Sequence, residues 1–149
     1  MSQAEVVPDL KFSTSNPDEE SAVASLKAIV EGLTWMSESD YPFKVLQLPD
    51  RANSPSTSEL LQLTEHDKNA FVETISMENF FASAIQPQDW HEDADKQRIQ
   101  RFQTLLQWLE QHLSSVEVYR VGTITIDVYI IGQIASGAWV SLSTKVVET

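Results

Sequence analysis

Three stretches near the end of the chain alternate between apolar and polar residues, and this period constrains the fold more than any other feature. They span residues 116–121, 124–130 and 140–146, with Gly122, and later Gly132 and Gly137, between them. Alternation places the apolar side chains of a strand on one face, so each stretch predicts a half-buried β-strand. Because the connections are short, we expect neighbouring strands to run antiparallel and to form a meander.

Apolar residues in the first two thirds recur instead at three- and four-residue spacing, which predicts helices. One helix begins near Asp18, and the most regular one runs from about Ala94 to Leu113. Shorter helices are expected after Ser58 and after Ser76, the second reaching Ile85. Short strands are predicted over 43–48 and 71–75, a loop over 37–40, and a turn over 132–137. The pattern favours an α+β fold with helices packed on an antiparallel or mixed sheet that ends in the meander.

The length and apolar content fit one domain. Of the 149 residues, 42% are apolar, which is enough to bury a core without disulfides. Residues 1–17 carry Pro8, Pro17 and few apolar residues, so we expect a flexible N-terminal extension followed by a single domain over 18–149.

Charge and cysteine content limit the possible functions. The chain holds 22 acidic and 10 basic residues, a net charge of -12, and it has no cysteine. An acidic surface disfavours direct binding to nucleic acid or to anionic membranes, and it suits either solubility or a basic protein partner. Thiol chemistry is excluded. No signal peptide and no spanning segment is evident, so a cytoplasmic location is expected.

One short region resembles an active site in its composition. Residues 88–95 contain four carboxylates and His91 around Trp90. Asp89, His91, Glu92 and Asp93 could hold a hard cation and form a small metal-assisted hydrolase. The same acids precede the longest helix, where they stabilise the positive end of its dipole, and this structural role is the favoured interpretation. Trp90 is either a core residue or an interface anchor, with core packing favoured.

Several separated blocks resemble a known family. They are MSESDYPF at 36–43, PQDW at 87–90, VYRVG at 118–122, DVYIIG at 127–132 and STKVVET at 143–149. In this order they closely resemble the NuiA-type inhibitors of sugar-non-specific nuclease A. The likeness runs from about Ala22 to Thr149 and is weak between Leu46 and Asn69.

The resemblance implies a three-layer α-β-α sandwich and a non-enzymatic inhibitor that needs no cofactor or metal of its own. Its partner would be a metal-dependent, DRGH-type ββα-metal endonuclease, bound 1:1. Glu38 would imitate the scissile phosphate against the arginines of that enzyme, and Thr149 would approach its Mg²⁺ ion. Gln88 and Trp90 would contact the rim of the cleft. A carboxylate forms bidentate hydrogen bonds with arginine much as a phosphate does.

Two positions depart from the family pattern. Asp40 and His91 stand where that pattern has a longer acid and an aromatic residue, which affects the expected rim contacts. The residues alone also leave open a binding module for some other basic protein.

Overall fold

The computed structural model describes residues 17–36, 40–48, 55–82 and 93–148. The helices are α1 (Pro17–Val30), α2 (Thr57–Leu63), α3 (Met77–Phe81) and α4 (Asp93–His112). The strands are β1 (Thr34–Met36), β2 (Asp40–Pro42), β3 (Lys44–Gln47), β4 (Val72–Ile75), β5 (Ser114–Val121), β6 (Thr125–Gln133) and β7 (Trp139–Val147). The α+β prediction and the C-terminal meander are confirmed. The predicted extension lies outside these ranges except for Pro17, and the domain division stays a prediction.

Five strands form one sheet in the order β3-β7-β6-β5-β4, while β1 and β2 form a separate hairpin. Each pairing between described strands is antiparallel. The prediction of a mixed sheet is therefore wrong for the described strands. β4 runs toward the end of the sheet where β6 finishes. α4, which lies between β4 and β5 in the chain, ends at that same end of the sheet. The next strand therefore starts there and runs opposite to its neighbour, whereas a single helical crossover would give a parallel pair.

Alternate residues of the sheet enter two separate apolar clusters. On β6, Ile126, Val128 and Ile130 pack with α1, α3 and α4, and we call this side the helix face. Tyr129 and Ile131 pack with Leu60 and Leu61 of α2 on the opposite side, the α2 face. Burial on both sides explains why β6 is almost continuously apolar over its second half.

Serine side chains begin the two short helices. The Ser56 hydroxyl accepts a hydrogen bond from the Glu59 backbone N–H at 3.2 Å, and the Glu59 carboxylate accepts one from the Ser56 N–H at 3.0 Å. This capping box, and not the predicted Ser58, starts α2, because it satisfies two free donors at once. Ser76 caps α3 as predicted. The expected continuation of α3 to Ile85 lies mostly outside the described residues.

Two local features differ from the sequence prediction. Thr34–Met36 and Asp40–Pro42 pair as a hairpin that the sequence does not predict, and Asp40, the described residue of the loop predicted over 37–40, is the first residue of β2. Gly132 lies inside β6 and not in the predicted turn. A Cβ atom there would meet the side chains of Leu113 and Val116 at 3.0 Å, so this glycine permits close packing between the strand and the end of α4.

We predict that Gly122→Ala destabilises the fold more than Gly137→Ala does. Both glycines have positive φ, at +114° and +99°, which strains an alanine by about 1–3 kcal/mol. At Gly122 a Cβ would also lie 2.5 Å from the Thr125 carbonyl oxygen, whereas at Gly137 the nearest atom is 3.9 Å away. Urea unfolding of both variants measures the difference. Equal losses of unfolding free energy would show that the backbone clash is relieved.

Candidate functional site

The residues predicted to bind the nuclease lie outside the described ranges. They are Glu38, Gln88, Trp90 and Thr149. Of the alternative metal cluster, Asp89, His91 and Glu92 also lie outside, and Asp93 is the first residue of α4. The described elements beside these residues nevertheless define where each segment is attached to the fold.

The first attachment point is the end of β7. Val147 pairs with Thr125, and the Glu148 backbone N–H donates to the Ile124 carbonyl oxygen at 2.9 Å. The pairing of β7 therefore continues to the residue before Thr149. We call this end of the sheet, where β7 finishes, the β7 end.

The hairpin that flanks residues 37–39 packs against β7 near the same end of the sheet. β3 pairs antiparallel with β7 through Lys44 and Ser143, so the chain before Lys44 follows β7 toward its last residues. The Thr144 hydroxyl donates to the Pro42 carbonyl oxygen at 3.0 Å, which holds β2 against β7. Met36 and Asp40, which pair with each other, are two to six residues before this contact along the chain, on the hairpin that Thr144 holds near the finish of β7.

The helix that follows residues 83–92 begins on this side as well. At its far end, Leu113 packs against Gly132. Nearer its start, Phe102 packs against Phe43, with 6.1 Å between ring centroids. Because Phe43 precedes Lys44 and Gly132 is near the finish of β6, α4 runs away from the β7 end. Its first residue, Asp93, lies further in that direction than Phe102.

An aromatic cluster fixes these elements to one another. Trp35 of β1 stacks on Phe80 at 4.3 Å between centroids and meets Phe81 and Phe102 edge to face at 6.0 and 5.5 Å. All four residues are buried. Such pairs contribute about 0.5–1.5 kcal/mol each beyond the burial of their area. The hairpin, α3 and α4 are thereby held in one orientation.

An arginine stabilises the last described residue. The Arg120 Nη2 atom lies 2.9 Å from Oε2 of Glu148, and its Nε atom lies 3.3 Å from Oε1 of Glu73. The Arg120 side chain is only 17% exposed, while both glutamates are 53% exposed. A largely buried guanidinium favours charged partners, and here it holds the Glu148 side chain to the sheet.

The α2 face carries a groove of about 770 Å³. Lys44, His66, Asp127, Tyr129 and Lys145 contribute its polar lining. The His66 Nε2 atom lies 3.0 Å from the Tyr129 hydroxyl and 3.1 Å from Oδ2 of Asp127. Because both contacts use one ring nitrogen, the three groups do not form a proton relay through the imidazole.

Burial raises the pKa of the Tyr129 phenol above its ordinary value. The Asp127 carboxylate acts in the same direction, since it disfavours a second negative charge nearby, and the hydrogen bond with the Thr64 side chain opposes both effects. The phenol therefore stays neutral over the physiological range. Its neutral hydroxyl is within hydrogen-bonding distance of the His66 ring in the groove.

Within the described ranges, no three His, Asp or Glu side chains come together in a way that could hold a metal ion. No helix in the same ranges has the length and apolar character needed to cross a membrane.

Sequence reasoning missed the Arg120 ion pairs and the groove. The sequence singles out Arg120 only as part of the VYRVG block. Alternation along β5 places it on the same face as the buried Val118, and a charged residue at such a position indicates a charged partner. His66 and Tyr129 are 63 residues apart, and no local pattern connects them.

These features define an α+β domain in which helices and a hairpin pack on a five-stranded antiparallel sheet. The family model for nuclease A inhibitor-like proteins matches residues 20–149. The chain therefore belongs to the nuclease A inhibitor-like family, and the expected family resemblance is confirmed. No curated protein matches it.

We predict that the stability of the wild-type protein falls more steeply at high pH than that of Tyr129→Phe. Since the folded pKa of Tyr129 is raised, its contribution is fully present below about pH 10 and is lost as the pH rises further. Unfolding free energies measured by urea titration between about pH 8 and 11 give the two slopes. Parallel slopes would contradict the raised pKa.

Proposed function

We propose that this protein inhibits a sugar-non-specific, metal-dependent endonuclease of the ββα-metal class by occupying its active site. Family membership supports the class of function, a nuclease inhibitor with a nuclease as its protein partner. We further propose that the two clusters on opposite faces of the sheet correspond to the three-layer sandwich of the family.

The observation that carries the proposal is the common location of three attachment points. Glu148 lies at the β7 end, Pro42 of the hairpin is bound by Thr144 near the finish of β7, and α4 starts on the side of Phe43 that faces the β7 end. These described residues flank the segments that contain Glu38, Gln88 with Trp90, and Thr149. This arrangement of the flanking residues supports a single contact surface formed by the three segments.

The chemistry of these residues suits a cleft that binds polyanions. Glu38 offers a carboxylate that engages arginines as a phosphate does, but it has no phosphodiester bond to cut. Thr149 supplies oxygen ligands of the kind that Mg²⁺ accepts. Gln88 and Trp90 add a polar contact and an aromatic anchor at the rim. The result is competitive exclusion of nucleic acid at 1:1 stoichiometry.

The internal ion pairs support the same interpretation. Arg120 binds Glu148 and so restrains the residue that precedes Thr149. Restraint before binding lowers the entropy lost when the complex forms. An inhibitor that presents its last residues to a metal gains affinity from such a support.

We predict that Glu38→Gln weakens inhibition of sugar-non-specific nuclease A by several kcal/mol, about 2–5 if the carboxylate is a desolvated partner of arginine. A DNA-degradation assay with the wild-type and variant proteins gives the two inhibition constants. Glu110→Gln is the matched control, because it makes the same charge change on the exposed side of α4 near its last turn.

Two outcomes would contradict this proposal. If excess wild-type protein leaves the rate of DNA degradation unchanged, the function fails for that nuclease. If Glu38→Gln and Glu110→Gln inhibit equally, Glu38 is not the phosphate mimic.

We also predict that residues appended after Thr149 weaken inhibition, because they displace its oxygen atoms from the metal of the nuclease. The same residues added before Met1 provide the control for the bulk of the tag. Inhibition constants from the same assay measure the difference. Equal potency of the two tagged proteins would remove Thr149 from the metal-binding role.

A further inference from the structure

The helix face of the sheet continues beyond its last core residues at the β7 end. Alternation along β4 and β5 places Glu73 beyond Ile75 and Arg120 beyond Val118. Three residues lie directly beside the strand ends: Phe71 before β4, Ile124 before β6 and Glu148 after β7. We call this group the end patch: Phe71, Glu73, Arg120, Ile124 and Glu148.

Backbone hydrogen bonds join the parts of the end patch. The Gly122 N–H donates to the Phe71 carbonyl oxygen at 2.9 Å, and the Glu148 N–H donates to the Ile124 carbonyl oxygen at 2.9 Å. Arg120 pairs with Glu73 and Glu148 between them. The end patch is therefore a surface held by backbone and ion-pair contacts at the ends of four strands, β4, β5, β6 and β7.

The apolar members of the end patch are unusually open to solvent. Phe71 and Ile124 are each 59% exposed, more than Leu46 and Leu63, the other large exposed hydrophobic residues of the described chain. Single exposed apolar residues are common on protein surfaces. Two of them on one fixed edge, beside a paired arginine, are more typical of an interface.

We propose that the end patch is a second part of the nuclease-binding surface and that it packs on the rim of the active-site cleft. This inference rests on the proposed function. Continuity supports it, because Glu148 belongs to the patch and immediately precedes Thr149. Charge supports it too, since two glutamates and one arginine leave a net negative charge, which suits the basic surface that a nuclease offers to DNA. Phe71 and Ile124 add apolar contacts that exclude water.

The test compares binding of Phe71→Ser, Ile124→Ser and the double variant to sugar-non-specific nuclease A by surface plasmon resonance. We expect each substitution to raise the dissociation constant about fivefold to tenfold, the range of a significant interface residue. Leu63→Ser is the matched control on the α2 face and should bind as the wild type does. Thermal unfolding of all variants verifies that they are folded.

Salt provides a second readout. An apolar contribution keeps the same fold-loss at about 0.05 M and about 0.5 M NaCl, whereas the loss caused by Glu38→Gln should shrink at the higher concentration. If the double variant binds like the wild type while Glu38→Gln is impaired, the end patch is overturned and the proposed function stands. If the wild-type protein does not bind the nuclease, both are overturned.

Discussion

The packing of Trp35 against three phenylalanines is the interaction on which the candidate site depends. This one ring contacts Phe80, Phe81 and Phe102, which belong to α3 and α4, while its own backbone forms β1. Two of the segments that carry predicted binding residues leave the fold from these elements. Their attachment points are therefore set by core packing, and a change in this cluster would alter stability and the site together.

Two arginines of this acidic chain are bound by groups of the fold itself. Arg101 donates to the Ile29 carbonyl oxygen at the end of α1, and Arg120 binds Glu73 and Glu148. Lys145 lies 3.9 Å from Asp127 in the groove. The chain as a whole keeps a net charge of -12, which disfavours contact with the phosphates of nucleic acid.

Sequence periodicity was informative where an element is long. It predicted α1, α4 and the meander, because an apolar stripe repeated over several turns or several strand residues seldom arises in any other structure. It failed for β1 and β2, since three residues are too few to show a period, and the Ser56 capping box lies two residues before the expected cap. Strand direction also depends on long-range connections, and for this reason the prediction of a mixed sheet was wrong.

The sequence could name candidate site residues, but it could not say where in the fold their segments are attached. Resemblance supplied Glu38, Trp90 and Thr149, yet only the fold relates the attachment points of their segments. The pattern that buries Val118 and Ile126 leads at the strand ends to Arg120, which is paired with two glutamates, and to the exposed Ile124. One periodic pattern thus provides the core over most of each strand and a surface at its end. Because β-sheet geometry fixes both, the surface proposed for nuclease binding is held by the same strand pairing that holds the core.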